Sequence, residues 1–243
     1  MNSNEISRLH ELEKYYWWHV GRKRILETFL KRISLPKDSK ILDVGCGTGE
    51  TTKIFEDYGK VWGVDVSDKA LEFCRKQGLQ NLRQSGARHL PFEDRFFDVV
   101  AMLDILEHIE EDEEALREVY RVLKGHGYLL ITVPAWQFLW SDHDEALEHK
   151  RRYIHFELRS KLEKADFKIQ RLSYAIMFLS FPIVFWRLFQ KIFVQSSYPK
   201  TSYVVLPPWL NTFFIFLLRL EARLLKYINL PFGISLVCLV RKK

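Results

Sequence analysis

The chain has 243 residues, of which 47% are hydrophobic and 14% aromatic, and its formal net charge is +6. A chain this long and this apolar can bury a substantial core, so its composition excludes a disordered, collagen-like or low-complexity protein. Its three cysteines, Cys46, Cys74 and Cys238, form no C-x-x-C pair. They predict neither a disulfide framework nor a cysteine zinc site, and they favour a reducing cytoplasm.

The charge is unevenly distributed along the chain. Residues 1–145 contain 20 basic and 26 acidic side chains, whereas residues 146–243 contain 17 basic and 5 acidic ones. The basic part also carries the two longest apolar runs, 175–186 and 204–218, and prolines interrupt both. Because a helix needs about 20 apolar residues to cross a bilayer, we expect neither run to span one. The first twenty residues have no apolar segment, so no secretory signal is expected.

The predicted elements begin with a helix over residues 5–33 that contains an aromatic cluster, Tyr15-Tyr16-Trp17-Trp18. Short apolar runs then alternate with helical patterns, which is typical of parallel βαβ units. Strands are expected at 40–44, 61–65, 82–85, 98–102 and 128–133, and two more at 167–175 and 233–240. Ser67 can cap a helix that runs to Lys76, and acidic residues from Glu111 suit the start of another.

A glycine loop follows the first predicted strand in the segment ILDVGCGTGE, residues 41–50. Glycines allow a positive φ and let a ligand approach the backbone. Glu50 occupies the place of the third glycine of G-x-G-x-x-G, which argues against a nicotinamide cofactor. Asp65 follows Gly49 by sixteen residues and ends the next strand. A carboxylate there can accept both hydroxyls of a ribose, and the structural alternative is a generic turn with a helix-capping acid.

Five segments carry a family resemblance: ILDVGCGTG, GVDVS, LPFEDRFFDVV, LDILEHI and RVLKGHGYLLITVP. In this order they resemble the motifs of class I S-adenosylmethionine-dependent methyltransferases of the type 11 group, over residues 38–134. The resemblance implies S-adenosylmethionine as cofactor and a Rossmann-like, doubly wound, mostly parallel seven-stranded sheet. The cofactor-binding residues that it implies are Asp43, Gly45, Gly47, Gly49, Asp65, Val66, Ala87 and Leu103.

These residues have different implied roles. The three glycines would face the methionine part of the cofactor, Asp43 would support their loop, and Asp65 would hold the ribose. Leu103 would lie beside the cofactor at the end of the fourth strand. Gly86 stands where the family often has an Asp that reads the adenine amino group, so we expect adenine recognition to depend on backbone or on Ala87.

Two groups of residues could do chemistry at the carboxyl ends of strands. In the first, the spacing of Asp104, Glu107 and His108 brings them toward one face of a helical turn. They could supply a general base or hold a divalent cation, or they could simply form a polar helix start that supports the cofactor.

The second group follows the fifth strand and resembles the W-S-x-H-D…H-x-R-R-Y signature of one methyltransferase subgroup, many of which act in lipid-linked or cell-surface glycan chemistry. Its residues 136–155 are predicted to be an acceptor-side loop, with a structural ion-pair network as the alternative. A zinc site from His143, Asp144 and His149 is conceivable, but we expect no metal. The predicted catalytic bases are, in order, His143, His149 and His108, and the predicted substrate contacts are Trp136, Trp140, Arg151 and Arg152.

Both ends of the chain carry further expectations. Residues 1–36 resemble the W-W-x-x-G-R start of the same subgroup and are predicted to form a helical lid on a methyltransferase domain over 37–243, or simply to pack as a helix. Residues 176–231 are predicted to be an apolar helical insertion. The stretch 208–230, with Arg187 and Lys191 nearby, suits an anionic membrane interface, a buried hairpin or a homodimer surface. Nucleic acid is an unfavoured partner because aliphatic residues interleave with the charges.

These patterns together predict a cytoplasmic enzyme, peripheral to the membrane. It would transfer a methyl group by in-line displacement from S-adenosylmethionine to a hydroxyl or carboxylate of an amphipathic or lipid-linked acceptor. The enzymatic alternative is O-methylation of a soluble small metabolite, as in the quinone pathway. A cofactor-binding regulatory module without catalysis is the alternative from another class.

Overall fold

A central seven-stranded sheet organises the computed structural model, which describes residues 10–193 and 206–243. The strand order is β3-β2-β1-β4-β5-β7-β6. Strands β1 to β5 pair in parallel, whereas β7 lies antiparallel between β5 and β6. The strands are β1 Lys40–Val44, β2 Lys60–Asp65, β3 Leu82–Gln84, β4 Phe97–Leu103, β5 Leu123–Pro134, β6 Phe167–Ala175 and β7 Ser235–Lys242.

The helices lie mostly between these strands in the chain. Short 3-10 turns occur at Thr52–Phe55, Leu106–His108 and Gln137–Leu139. Successive residues of β4 and β7 are almost all buried, which is expected where both faces of a sheet are covered. The α-helices are α1 Trp17–Leu30, α2 Asp68–Lys76, α3 Asp112–Val122, α4 Asp142–Ala146, α5 His155–Lys164, α6 Ser180–Phe193 and α7 Pro208–Leu224.

The strand order reverses at β1, whose neighbours are β2 on one side and β4 on the other. Ligands of doubly wound sheets bind at such a switch point, outside the carboxyl ends of the strands. The glycine loop after β1, the residue Asp65 at the end of β2 and the segment after β4 all lie there. The predicted α/β class is therefore confirmed, and its topology brings the candidate residues to one edge of the sheet.

The predicted N-terminal helix is interrupted in the structure. Residues 10–15 are helical, Tyr16 is extended, and α1 begins at Trp17. Asn211 of α7 bonds to both sides of the break: its Oδ1 accepts from the Trp17 N–H at 2.9 Å, and its Nδ2 donates to the Tyr15 carbonyl at 2.9 Å. The residue that bonds across the break is distant in the chain, so the local sequence does not reveal this contact. Residues 5–9 of the predicted helix lie outside the described residues.

Two strands start at least two residues away from their predicted first residues. Strand β5 begins five residues before the predicted start, because Leu123 already pairs with Phe97 ahead of an irregularity in the ladder. Strand β7 begins at Ser235, after Gly233. A Cβ on Gly233 would lie 2.2 Å from the Ala175 carbonyl oxygen, so the chain passes β6 too closely there for any other residue.

Helices α6 and α7 follow β6, within the residues predicted to be an apolar insertion. Helix α7 packs on α1, where Gly21 leaves room for Leu218: a Cβ on Gly21 would lie 2.1 Å from the Leu218 Cδ1 atom. The buried Glu221 of α7 accepts hydrogen bonds from the backbone N–H groups of Ile176 and Phe178. Within the described ranges, every helix is too short or too polar to cross a bilayer.

Candidate functional site

A cavity of about 1230 Å³ opens at the carboxyl ends of the parallel strands. This volume exceeds the roughly 300 to 1,000 Å³ of ordinary small-molecule sites, which leaves room for a cofactor and a second molecule. One part of its wall comes from the glycine loop and the ends of β2 and β4. Opposite parts come from the segment before α1, from the loop around α4, and from α6 and α7.

Gly47 provides the most open part of the glycine loop. Its φ is +54°, and a Cβ there would have no heavy atom within 4 Å. Asp65 fixes this turn, because its Oδ2 accepts from the Gly47 N–H at 2.9 Å and its Oδ1 accepts from the Ser67 N–H at 2.9 Å. The loop therefore leaves space for a ligand against the backbone, and the carboxylate expected to hold a ribose borders that space.

The other two glycines have different surroundings. Gly45 lines the cavity, and a Cβ on it would lie 2.0 Å from the Ile105 Cδ1 atom. Gly49, which is predicted to face the cofactor, is not among the residues that line the cavity. Its φ is +86°, and a Cβ would meet Leu79 at 2.8 Å and Cys74 at 3.0 Å. Gly49 is thus required for the turn and for packing on the end of α2.

Asp43 lies buried beneath the loop and also touches the cavity wall. Burial raises the pKa of this carboxyl to about 7, although the hydrogen bond from the Thr52 hydroxyl at 2.7 Å opposes the rise. Thr52 also approaches the Cys46 carbonyl at 3.4 Å, so Asp43 is linked to the glycine loop through one side chain. Val66, Ala87 and Leu103, the other predicted cofactor contacts, line the cavity around the loop, with Gly86 beside them.

The N-terminal segment closes one side of the cavity. Glu13 accepts a hydrogen bond from the Thr48 hydroxyl, and Lys23 pairs with Glu50 at 2.6 Å, so this segment is attached to the glycine loop. Trp17 lines the cavity and also packs edge-on against Phe214 of α7 at 5.5 Å. The segment therefore borders the cavity and packs as a helix, and its closing over the cofactor as a lid stays a prediction. Its other lining residues are Tyr16, Trp18, His19 and Arg22.

The residues after β4 are arranged differently from the prediction. Asp104 has a φ of +55° and precedes the 3-10 turn, so it does not share a helical face with Glu107 and His108. Its carboxylate pairs with Arg22 at 2.6 Å and accepts from the Thr132 hydroxyl at 2.8 Å. Glu107 and His108 instead approach His149 from the acceptor-side loop. Burial raises the pKa of Glu107 well above its usual range.

Asp144 organises the acceptor-side loop from a fully buried position. Its carboxylate accepts from the Ser141 N–H at 2.9 Å, pairs with Arg152 at 2.7 Å and bonds to the His149 Nδ1 at 2.9 Å. Burial alone would raise the pKa of Asp144, but the His149 hydrogen bond and the Arg152 charge hold it well below its usual range. The ion-pair network that was the structural alternative is thus present in this loop.

The four predicted acceptor contacts differ in where the structure places them. Arg151 does not line the cavity, because its guanidinium donates to the Glu110 carbonyl at 2.7 Å and approaches Asp112 at 3.3 Å. Arg152 lines the cavity but is 5% exposed, and it donates to Asp144 and to a backbone carbonyl.

Trp136 and Trp140 also lie away from the cavity wall. Trp136 stacks on Tyr174 at 5.1 Å and donates to the Gly233 carbonyl at 2.8 Å, so it packs against the sheet edge. The Trp140 Nε1–H donates a hydrogen bond to the Glu145 carboxylate at 3.5 Å. Arg187, which was grouped with the membrane-facing charges, points inward: it donates to the Leu139 carbonyl at 2.7 Å and lies 3.6 Å from Asp144.

The three predicted bases all border the cavity. Burial, with the Arg187 charge, lowers the pKa of His143 to about 4. Burial, with the neighbouring His149, lowers the pKa of His108 to about 4 as well. Both imidazoles are therefore neutral at neutral pH and can accept a proton or bind a metal ion. Sequence reasoning missed the contribution of α6 and α7, whose Ile183, Trp186 and Phe214 reach the cavity without any motif.

Comparisons with known proteins agree with this geometry. The family model of the methyltransferase domain matches residues 42–131. This stretch holds the glycine loop, β2 to β4 and the turn of Glu107 and His108. Residues 42–131 therefore match a class I S-adenosylmethionine-dependent methyltransferase domain, and the chain has the fold of such enzymes. S-adenosylmethionine is the cofactor of this family, and the open backbone at Gly47 beside Asp65 fits it.

Individual relatives of this methyltransferase domain extend the comparison. A demethylmenaquinone methyltransferase of Staphylococcus aureus is 33% identical over 136 residues, which are 53% of this chain and 55% of the relative. The chain thus matches about half the length of this curated relative.

Two solved structures share the fold. A methyltransferase of Thermotoga maritima, described as a possible histamine N-methyltransferase, aligns over 98% of both chains with a TM-score of 0.62 and 21% identity. A methyltransferase of Archaeoglobus fulgidus aligns over 97% of this chain and 99% of its own, with a TM-score of 0.61 and 19% identity.

Proposed function

We propose that the protein transfers a methyl group from S-adenosylmethionine to an oxygen, a hydroxyl or a carboxylate, of an amphipathic or lipid-linked acceptor. The observation that carries this proposal is the continuity of the cavity. It runs from the glycine loop and Asp65, past three histidines, to Ile183 and Trp186 of α6. Trp186 borders the cavity while remaining 47% exposed, so the apolar outer surface reaches the cavity.

The chemistry requires alignment and, for a hydroxyl acceptor, removal of a proton. When bound, S-adenosylmethionine supplies a methyl group on a positively charged sulfur that is a good leaving group. The walls of the cavity hold the acceptor oxygen in line, a form of catalysis that needs no covalent intermediate. His143, neutral above about pH 4, can accept the proton of a hydroxyl acceptor. A carboxylate acceptor would need no base.

The outer faces of α6 and α7 support a membrane-borne acceptor. Trp209, Phe213 and Phe216 are 71%, 49% and 57% exposed, and their spacing places them on one face of α7. Phe181, Phe185 and Phe189 form a second exposed row along α6. Exposed aromatic rows on two helices are unusual for a surface that meets only water.

The basic residues of α7 also favour contact with a membrane. Arg219 and Arg223 are exposed on α7 and flank its aromatic row. An amphipathic helix with basic residues beside its apolar face binds the interface of an anionic bilayer. We therefore propose that the protein works at the cytoplasmic membrane face and receives its acceptor from there.

A quinone acceptor is the second candidate, because the curated relative is named a demethylmenaquinone methyltransferase. The match covers only 53% of this chain and 55% of the relative, so the quinone acceptor is a proposal of lower rank. A cofactor-binding module without catalysis is the remaining alternative, and only a turnover measurement separates it from an enzyme.

The experiment supplies methyl-labelled S-adenosylmethionine with anionic vesicles made from a membrane lipid extract, and in parallel with the soluble metabolite fraction. We expect label in the organic phase of the vesicle reaction. His143→Ala should lose at least about tenfold in turnover on a hydroxyl acceptor and keep its affinity for the cofactor in calorimetry. The double variant Phe213→Ser/Phe216→Ser should bind vesicles weakly and lose turnover only on vesicles.

Phe156→Ser is the matched control for the aromatic row, because Phe156 is 74% exposed on α5. It should bind vesicles like the wild type. Label that appears only in the soluble fraction would reject the membrane-borne acceptor. Cofactor binding without label in either fraction would favour the non-catalytic module.

A further inference from the structure

Three side chains that could bind a metal ion converge at the acceptor end of the cavity. Glu107 and His108 come from the 3-10 turn after β4, and His149 comes from the loop after α4. One donor atom from each lies within 4.8 Å of the other two, so small side-chain rotations can bring all three to one ion. The Lys150 N–H donates to the Glu107 carbonyl at 2.7 Å, which attaches the two segments to each other.

Glu107 is the unusual member of this group. Its side chain is 0% exposed, and neither carboxylate oxygen accepts a hydrogen bond from another residue. The two nearby guanidinium groups are engaged elsewhere, Arg22 with Asp104 and Arg152 with Asp144. A buried carboxylate without a partner is costly, and such groups are normally paired or coordinate a metal.

The histidines are oriented for coordination. The His149 Nδ1 bonds to the Asp144 carboxylate at 2.9 Å, so Nε2 remains as the nitrogen that can bind an ion. A carboxylate behind a histidine in this way is the usual support of a metal-binding imidazole. The His108 ring lies edge-on to the His149 ring, with centroids 4.7 Å apart.

We propose that Glu107, His108 and His149 bind one divalent transition-metal ion, with Zn²⁺ favoured. Two imidazoles and one carboxylate are the protein ligands of many catalytic zinc sites, in which a fourth position stays open. All three residues line the cavity, so the open position faces the space for the acceptor. There the ion would lower the pKa of an acceptor hydroxyl, and this use rests on the proposed function, whereas binding of the ion does not.

This set differs from the zinc ligands conceivable from the sequence, which were His143, Asp144 and His149. Asp144 is already occupied by Arg152 and instead orients His149. His143 then keeps its predicted role as the base for proton transfer. The proposal thus separates two roles that the sequence could not divide among three histidines.

Metal binding is tested on the full untagged chain, stripped with a chelator and titrated with Co²⁺ or Zn²⁺. We expect one equivalent of Co²⁺ to produce intense visible d–d absorption, which reports low-symmetry coordination, and calorimetry to give one Zn²⁺ site. His149→Ala and Glu107→Gln should weaken binding at least about 100-fold. Asp144→Asn should weaken it by about 10- to 100-fold, as expected for a residue behind a ligand.

His126→Asn is the matched control, because His126 is exposed at the start of β5 and asparagine tolerates its positive φ of 67°. It should bind Co²⁺ like the wild type. Glu107→Gln preserves volume, and circular dichroism verifies its fold. A wild type that binds no Co²⁺, or a Glu107→Gln variant that binds it unchanged, would overturn the proposal whether or not the protein transfers methyl groups.

Discussion

The two halves of the cavity are built in different ways. The cofactor half uses backbone and residues close in sequence: Gly47 and Asp65 meet through one turn after β1 and one strand end. The acceptor half uses side chains from distant segments. Asp144 pairs with Arg152 and His149 within one loop. The same loop contacts Glu107 and Arg187, which come from other parts of the chain. One half is a product of the fold, and the other depends on a particular set of buried charges.

This difference has an energetic consequence. A glycine turn costs little to maintain, and its residues can be changed one at a time. A buried ion-pair network fails as a unit, since removal of one charge leaves its partners desolvated and unpaired. Substitutions in the acceptor half should therefore affect folding, whereas those in the cofactor half should affect mainly binding.

The largest expected effect is on Asp144. Asp144→Ala leaves the buried Arg152 without its partner and should lower the free energy of unfolding by about 3 to 5 kcal/mol. The pKa of Asp144 is held below its usual range, so its contribution is present above about pH 4 and is lost as the pH falls through the folded-state pKa. Urea unfolding at neutral pH measures the effect.

Asp142→Ala is the control for this comparison, because Asp142 is exposed in the same first turn of α4. An exposed acid at a helix N-terminus contributes less than about 1 kcal/mol. Equal losses from the two substitutions would contradict the view that the acceptor half depends on its buried charge.

An intermediate effect is expected from Asp43, a buried charge in the cofactor half. Its folded-state pKa of about 7 exceeds the unfolded value of about 3.9, so the folded state binds more protons between these two pH values. Wild-type stability should therefore fall as the pH rises from about 4 to 7, by at most about 4 kcal/mol. Asp43→Asn keeps an acceptor for Thr52 and should remove this fall.

Unfolding midpoints measured over this pH range provide the test. Thr52→Val removes the hydrogen bond that opposes the rise in pKa, so its stability should continue to fall to higher pH than that of the wild type. Parallel pH profiles for wild type and Asp43→Asn would mean that Asp43 is ionised in the fold.

The contrast between the halves also explains what the sequence could predict. Glycine spacing and an acid at a strand end follow from local backbone geometry, so the placement of Gly45, Gly47 and Asp65 at the cavity was predictable. Gly49 was assigned to the same ligand by motif, although its neighbours Leu79 and Cys74 come from the region after β2. Only the folded chain reveals that it packs on α2.

The acceptor half was predictable in composition but not in arrangement. The sequence marks residues 136–155 as polar and aromatic, yet it cannot state that Arg152 faces Asp144 or that Trp136 stacks on Tyr174. Arg187 seemed to be a surface charge because its neighbours are apolar, and its inward contact depends on the position of α6. The break at Tyr16 likewise depends on Asn211, which is 195 residues away.

The smallest expected effect on stability, and the sharpest on function, comes from two glycines. Gly47 and Gly78 both have a positive φ, and a Cβ on either would meet no heavy atom within 4 Å. Alanine at each should therefore cost a similar strain of about 1 to 2 kcal/mol. Only Gly47 lines the cavity, so Gly47→Ala should weaken S-adenosylmethionine binding at least about tenfold in calorimetry, whereas Gly78→Ala should bind it like the wild type. Equal affinities would show that the open space at Gly47 does not receive the cofactor, and the cofactor half would then need another contact surface.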